Sequence, residues 1–244
     1  MAALSSEVRP FLRRVQARRL AGVEGPVWEF SGKRGKGVAV VSGVGEAAAG
    51  RAAGWILQHY QPDILISLGF GGAVTPELPA GALVLGESYW RFEPEAGLLR
   101  ELAAPPSPAP LQDMAANLQG LGLSVFLGSA VTTLGIIHKG AQGGPLVHLT
   151  HPVLDLETSA TAAAAQAKNL PFISLRAVTD TAAEEIPDFI LQAAKEERLP
   201  TARAVLAWLA AHPHRLTELM HLWRRSRLAG RNLALALEAV LGMI

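Results

Sequence analysis

The segment from Pro152 to Thr181 constrains the fold more than any other part of the sequence. It holds a short apolar run (Val153–Leu156), an Ala-rich stretch of helix formers (Thr158–Lys168) and a second apolar run rich in strand formers (Pro171–Val178). This order predicts one strand–helix–strand unit. A helical crossover of this length predicts parallel strands whose carboxyl ends lie along one edge of a sheet.

An acidic residue follows each of these predicted strands. Glu157 comes after the first strand and Asp180 after the second. With parallel strands, both carboxylates face one crevice, at the edge where open α/β sheets bind ligands. For either residue alone, a helix cap at Glu157 or a loop start at Asp180 is the simpler interpretation. For the pair, we favour a functional site.

A second strand–helix–strand unit is predicted from Val38–Val41, Ala47–Gln58 and Ile64–Leu68. The Gly43-Val44-Gly45 turn inside it satisfies a relaxed dinucleotide-binding fingerprint. That fingerprint needs an acidic residue at the end of the next strand, which here ends in Leu68-Gly69-Phe70-Gly71-Gly72. We therefore disfavour a dinucleotide site at this turn.

Two motifs resemble the signature of the nucleoside phosphorylase and nucleosidase superfamily, which includes methylthioadenosine/S-adenosylhomocysteine nucleosidases. Leu156-Glu157 before the Ala-rich helix stands for that family's Met-Glu, and Arg176-Ala177-Val178-Thr179-Asp180 stands for its Arg-Ala-x-Ser-Asp. The resemblance implies a three-layer α/β fold, with a central twisted mixed sheet flanked by helices, of the phosphorylase/hydrolase-like type.

The same resemblance implies roles for these residues. Glu157 would hold the ribose hydroxyls beside Leu156, and Asp180 would protonate the departing base with Thr179 sharing a hydrogen bond. Because Asp180 must carry a proton in order to donate it, we expect burial or a neighbouring carboxylate to favour its protonated form. The substitutions Leu for Met and Thr for Ser remove neither carboxylate.

Near the N-terminus, Ala3-Leu4-Ser5-Ser6-Glu7-Val8 resembles the family's Ala-Met/Leu-x-x-Glu sequence, whose Glu orients the attacking water. Stabilisation of the first turn of a helix is the alternative role for Glu7, because Val8, Phe11, Leu12 and Val15 have amphipathic-helix spacing. Family members have about a strand's worth of residues before this motif. Here the first strand is short, or the natural start lies upstream.

The glycine segment Ser67–Ala73 resembles the family's Thr-Gly-x-Ala-Gly-Gly loop, which implies that Gly69, Phe70 and Gly71 lie against the substrate. In family members a Ser next to the ribose or phosphate often stands where Phe70 stands. A phenyl group cannot donate a hydrogen bond to an anion, so this substitution favours water over phosphate as the nucleophile. Arg51 is the arginine closest in sequence to the glycine segments.

Composition limits the classes of partner and cofactor. The formal net charge is +1 and there is no cysteine, which argues against nucleic acid as the main partner and excludes thiolate chemistry. His138, His148 and His151 form no metal-ligand pattern with a carboxylate, so we expect neither a metal nor an organic cofactor. We find no secretory signal or long apolar span and predict a cytoplasmic location.

The chain is predicted to form one domain over residues 1–244, with a helical C-terminal segment from about residue 188. Helices are predicted at Asp188–Glu197 and Thr201–Ala211, and an irregular loop at Glu93–Pro110. The Arg-rich stretch Leu216–Ile244 is predicted to cover the sheet with its arginines in solvent; contact with a membrane surface is the less favoured alternative.

The sequence therefore favours a purine nucleosidase that hydrolyses the N-glycosidic bond of an adenosyl-type nucleoside. A phosphorylase of the same fold and a non-catalytic nucleoside-binding relative are the alternatives. The resemblance implies a homodimer or larger homo-oligomer. The C-terminal tail is weakly similar to hopanoid-associated nucleosidases, and the 5′ group of the substrate stays open.

Overall fold

The computed structural model describes residues 1–21, 25–32, 34–184 and 216–244. The predicted helices at Asp188–Glu197 and Thr201–Ala211 lie outside the described residues. The strands are β1 (Arg18–Arg19), β2 (Val27–Ser31), β3 (Lys36–Val40), β4 (Leu65–Ala73), β5 (Leu83–Glu93), β6 (Leu98–Leu102), β7 (Val125–Thr133), β8 (Val153–Asp155) and β9 (Phe172–Asp180). The helices are α1 (Ser5–Arg14), α2 (Glu46–His59), α3 (Leu111–Gly120), α4 (Lys139–Gln142), α5 (Thr158–Gln166) and α6 (Leu216–Met243), with a 3₁₀ turn at Gly144–Leu146.

The central sheet is mixed and has the strand order β6-β5-β7-β8-β4-β9. Strand β9 also pairs antiparallel with β5, from Leu83↔Ala177 to Leu85↔Leu175, so the sheet curls back on itself. Helices pack against this sheet, which confirms the predicted α/β architecture. Part of the predicted loop at Glu93–Pro110 instead pairs as β6 with β5, and that part of the prediction is wrong.

The predicted parallel arrangement of β8 and β9 is also wrong. Strand β4 lies between them, pairing antiparallel with β8 and parallel with β9. Gly72 of β4 is opposite Leu154 of β8 on one side and Asp180 of β9 on the other. The chain segments that carry Glu157 and Asp180 therefore approach the end of β4 from opposite directions.

The first two residues join the small sheet β1-β2-β3 to the central sheet. The Ala2 N–H donates to the Val40 carbonyl at 3.0 Å, and the terminal ammonium of Met1 donates to the Ile66 carbonyl at 2.6 Å. This short extended segment takes a strand position between β3 and β4. It fixes the start of α1, and with it Glu7, next to the middle of β4.

Helices α1 and α6 cover the same side of the central sheet. Val8, Phe11 and Leu12 are buried as their spacing predicted, in a core shared with Leu233 and Leu237 of α6. Arg224, Arg227 and Arg231 are exposed on α6, as predicted. Within the described part of the chain, no helix is long and apolar enough to cross a membrane.

Candidate active site

A cavity of about 1050 Å³ opens between α1, the Gly43–Gly45 turn, the end of β4 and the residues that follow β8. Its wall includes most of the predicted site residues: Glu7, Phe70, Gly71, Leu156, Glu157, Thr179 and Asp180. Gly69 is not part of this wall and lies behind Glu7. The cavity brings together three carboxylates that are up to 173 residues apart in sequence.

Glu157 stands at the N-cap of α5, two residues past the end of β8. Its Oε1 accepts a hydrogen bond of 2.8 Å from the backbone N–H of Gly45, which has a φ of +96°. Burial, together with the negative charge of Asp155, raises the pKa of Glu157 to about 7. Near neutral pH this carboxyl is therefore partly protonated.

A buried ion pair lies directly beneath Glu157. The Nε atom of Arg176 is 2.6 Å from Oδ2 of Asp155, and both side chains are 1% exposed. Asp155 also accepts hydrogen bonds from Thr132 Oγ1 at 2.7 Å and from the backbone N–H groups of Glu157 and Thr158. The pair therefore fixes the backbone from which the Glu157 side chain extends.

Glu7 performs the helix-stabilising task and also lines the cavity. Its Oε2 accepts from the Leu4 N–H at 2.7 Å, at the start of α1, and its Oε1 accepts from the Phe70 N–H at 2.9 Å. Burial raises the pKa of Glu7, and the backbone hydrogen bonds from Phe70 and Leu4 oppose that shift. The carboxylate is thus held in one orientation by two separate parts of the chain.

The glycines Gly69, Gly71 and Gly72 continue strand β4, so the loop that the family resemblance implied at Ser67–Ala73 is wrong. None of them has a positive φ, so backbone conformation does not require glycine at these positions. The absence of a side chain is needed because other groups approach this backbone closely. A Cβ at Gly69 would lie 3.0 Å from Oε1 of Glu7, and one at Gly72 would lie 2.6 Å from Oδ2 of Asp180. The small residues of β4 make room for the two carboxylates.

Asp180 ends β9 and is paired with a lysine that the sequence did not single out. The Nζ atom of Lys139 is 2.7 Å from Oδ2 of Asp180 and donates to the Thr181 carbonyl at 2.6 Å. Thr179 Oγ1 donates to the other carboxylate oxygen at 2.9 Å, as predicted. From the sequence, a carboxylate was one expected neighbour of Asp180. The structure instead places the Lys139 ammonium beside it.

Sequence reasoning also missed Asp155, and it singled out the Gly43-Val44-Gly45 turn without its hydrogen bond to Glu157. Asp155 is the first acidic residue of the Asp155-Leu156-Glu157 run, and a buried strand ending in an acid was a usable signal. Lys139 gave no comparable signal, because a single lysine between Ile137 and Gly140 is ordinary in a loop. In the described ranges, no cluster of three or more His, Cys, Asp or Glu side chains could hold a metal ion.

The arrangement suits the cleavage of a bond between a sugar and a base. An ionised carboxylate can accept hydrogen bonds from two adjacent hydroxyls, a second can orient water, and a proton carrier can neutralise a leaving group. Glu157, Glu7 and the Lys139–Asp180 pair supply these three kinds of group around one cavity. Apolar side chains such as Val41, Val44 and Trp55 line the rest of it.

Comparisons with known proteins agree with this architecture. The family model described as the phosphorylase superfamily matches residues 2–211. The 5′-methylthioadenosine/S-adenosylhomocysteine nucleosidase from Neisseria meningitidis, in complex with methylthio-immucillin-A, is similar at a TM-score of 0.72 and 19% identity, covering 100% of this chain and 97% of that one.

Two further structures show the same likeness. The nucleosidase of that type from Colwellia psychrerythraea, in complex with adenine, gives a TM-score of 0.72 and 17% identity over 99% of this chain and 92% of that one. The futalosine hydrolase of Helicobacter pylori gives a TM-score of 0.71 and 12% identity over 100% of this chain and 96% of that one. At these identities the likeness is one of fold, and it confirms the predicted fold class.

Proposed function

The chain belongs to the phosphorylase superfamily, and from this premise we propose that it is a purine nucleosidase acting on an adenosyl-type nucleoside. The observation that carries the proposal is the convergence of Glu7, Glu157 and Asp180 on one cavity, each on a separate structural support. The reaction hydrolyses the N-glycosidic bond and releases a free base and a free sugar.

Glu157 is proposed to hold the ribose hydroxyls. Its ionised form can accept from both the 2′ and the 3′ hydroxyl, and the Gly45 N–H keeps Oε1 in place. Leu156, which also lines the cavity, would pack against the sugar or the base. Interactions that tighten as the sugar becomes positively charged lower the barrier more than uniform binding does, and a carboxylate near the sugar provides such an interaction.

Asp180 is proposed to deliver the proton that the leaving base needs, with Thr179 orienting the carboxyl group. Glu7 is proposed to orient the attacking water as a general base. The hydrogen bonds from Leu4 and Phe70 direct its carboxylate and oppose the rise in its pKa that burial causes. These roles need no metal ion or organic cofactor.

A phosphorylase remains the second candidate because Arg51, in the second turn of α2, lines the cavity. A phosphate dianion also needs free backbone donors and hydroxyls. The Phe70 N–H already donates to Glu7, the Phe70 side chain offers no donor, and Glu7 would repel a dianion. These three facts favour water as the nucleophile.

The direct test is release of free base from adenosine, inosine, methylthioadenosine and S-adenosylhomocysteine, each with and without phosphate. We expect adenine from at least one adenosyl compound at full rate without phosphate, together with a free ribose-type product. Strict dependence on phosphate, with a sugar 1-phosphate as product, would transfer the assignment to the phosphorylase. Binding of a nucleoside without release of base from any compound would favour the third hypothesis, a non-catalytic nucleoside-binding relative.

Two variants test the residue roles. Asp180→Asn should lower kcat by about 10²–10⁴ while nucleoside binding stays within about tenfold, because the amide keeps the shape and loses the proton. Glu7→Gln should also be slow. The exposed Asp113 of α3 provides a matched control, since Asp113→Asn should leave kcat unchanged. More than half the wild-type kcat in Asp180→Asn would remove Asp180 from the mechanism.

The homodimer or larger homo-oligomer and the cytoplasmic location stay predictions. Sedimentation velocity tests the first, and fractionation of the source cells tests the second. A monomer at working concentration would contradict the first prediction, and recovery in the secreted or membrane fraction would contradict the second.

A further inference from the structure

The pair Lys139–Asp180 gives both carboxylate oxygens of Asp180 a donor. Oδ2 is 2.7 Å from the Lys139 ammonium and Oδ1 accepts from Thr179 Oγ1 at 2.9 Å. The two charged side chains are 5% and 8% exposed, and both residues line the cavity. A carboxylate that accepts on both oxygens beside a cation fits the ionised form.

An ionised Asp180 has no proton for a leaving base. The ammonium of Lys139 does have one, and it lies one hydrogen bond away. We propose that Lys139 supplies the proton that Asp180 passes to the base. Lys139 acts through Asp180 and is therefore a positioning residue. This inference rests on the proposed nucleosidase function and deepens it.

The step balances as follows. An Nζ–H bond of Lys139 breaks and the proton joins Oδ2 of Asp180, which leaves a neutral amine beside a carboxylic acid. That O–H bond breaks as the proton joins a base nitrogen, while the glycosidic C–N bond breaks and its electron pair goes to the base. Water bonds to the anomeric carbon and gives a proton to Glu7. Solvent then returns one proton from Glu7 to the amine.

Substrate binding favours the first transfer. Two buried charges are costly to hold out of water unless their surroundings compensate them, whereas a neutral amine and a neutral acid are less costly. A nucleoside that fills the cavity displaces water from the pair. The displacement therefore shifts the balance from the ion pair towards the neutral pair, at the moment when a proton is needed.

Other charged groups face this pair. Among the described residues, Glu7 and Glu157 line the same cavity, and His138 precedes Lys139 in the chain. Glu184 accepts a hydrogen bond from the Thr181 N–H and forms an ion pair with Arg225. Lys139→Met removes a positive charge that these groups also face, so Lys139→Arg, which keeps that charge, is the control for its effect on them.

The experiment compares kcat/KM against pH for the wild type, Lys139→Met and Lys139→Arg. Lys139→Met leaves Asp180 to take its proton from solvent, so its alkaline limb should move to lower pH by about one unit or more, with base release on that limb lowered by about tenfold for each unit. Lys139→Arg keeps the cation but not a proton that can be released, so kcat should fall at every pH while KM changes little.

If Asp180 were the donor by itself, Lys139 would only suppress its protonation. The alkaline limb of Lys139→Met would then move to higher pH, which would overturn the inference. An unchanged profile with a uniform loss, or wild-type kcat in Lys139→Arg, would overturn it as well. Lys168 is exposed on the surface, and Lys168→Met should behave as the wild type.

A measurement without turnover separates this inference from the proposed function. Infrared difference spectra of the wild type and Lys139→Met, each against its Asp180→Asn counterpart, report whether Asp180 is ionised at rest near pH 7. We expect an ionised carboxylate in the wild type and a larger protonated fraction in Lys139→Met at the same pH, where the cation 2.7 Å from Oδ2 is gone. A protonated Asp180 in the wild type would overturn the inference, whereas failure of every nucleoside to release base would overturn only the proposed function.

Discussion

Replacing Asp155 by Asn should destabilise the protein strongly, because it leaves the Arg176 guanidinium buried without a counter-charge. The two side chains are 1% exposed and their closest atoms are 2.6 Å apart. Asparagine keeps the size of the side chain and can still accept from Thr132 Oγ1. Arg176 and Thr158 both donate hydrogen bonds to Oδ2 of Asp155. In asparagine an amide NH₂ group, which is itself a donor, would take the place of this oxygen.

Removing one member of a buried ion pair costs about 3–5 kcal/mol, far more than the pair contributes relative to apolar residues of similar volume. For a chain of this length each kcal/mol corresponds to a change of about 2–4 °C in Tm, so the predicted decrease is roughly 6–20 °C. Urea unfolding followed by far-ultraviolet circular dichroism measures the free energy of unfolding, and calorimetry measures Tm.

A surface pair provides the matched control. Arg14 and Glu238 are joined at 2.7 Å but are 46% and 45% exposed, so Glu238→Gln should change the free energy of unfolding by less than about 1 kcal/mol. The double variant Asp155→Leu with Arg176→Met should be more stable than Asp155→Asn. A loss in Asp155→Asn as small as that in Glu238→Gln would refute the reasoning.

Two further predictions concern Glu157 and Gly72. The pKa of Glu157 is raised to about 7 in the folded chain, so the folded state binds this proton more tightly than the unfolded state does. Its contribution to stability should be full below about pH 4.5 and be lost as the pH rises through about 7, and Glu157→Gln should remove this dependence in urea unfolding at pH 5 and pH 8. The KM of a riboside should rise as the pH falls below about 7, while that of its 2′,3′-dideoxy analogue should not, provided Glu157 holds the hydroxyls. Gly72→Ala should displace Asp180 and lower kcat by about tenfold or more, whereas Gly54→Ala on the exposed side of α2 should raise stability by up to about 1 kcal/mol without changing kcat.

The order of elements around the site could be predicted from the sequence because it depends on local composition. The Ala-rich stretch Thr158–Lys168 between two apolar runs folded as α5 between β8 and β9. The direction of those strands could not be predicted, because it depends on β4, which lies about 80 residues earlier in the chain. Local patterns contain no information about a strand that is inserted from so far away.

The error at Ser67–Ala73, where a loop was expected, has a similar cause. Consecutive glycines usually indicate a turn, but here they allow Glu7 and Asp180 to lie against a strand. Lys139 was missed because its partner is 41 residues away in sequence. The three carboxylates of the cavity could be found from sequence motifs. The charged groups around them, such as the Lys139 ammonium beside Asp180, could be found only from three-dimensional contacts.

If the chain is the proposed nucleosidase, the separate supports of Glu157 and Asp180 imply that recognition of the sugar and recognition of the base can evolve separately. Glu157 is held by Gly45 and by the Asp155–Arg176 pair, while Lys139 and Thr179 hold Asp180. Libraries that vary the surroundings of Lys139 should therefore alter base preference with little change in the discrimination between riboside and deoxyriboside. On the proposed function, we expect variants for unnatural nucleosides to be selectable in two independent rounds, one for each half of the substrate.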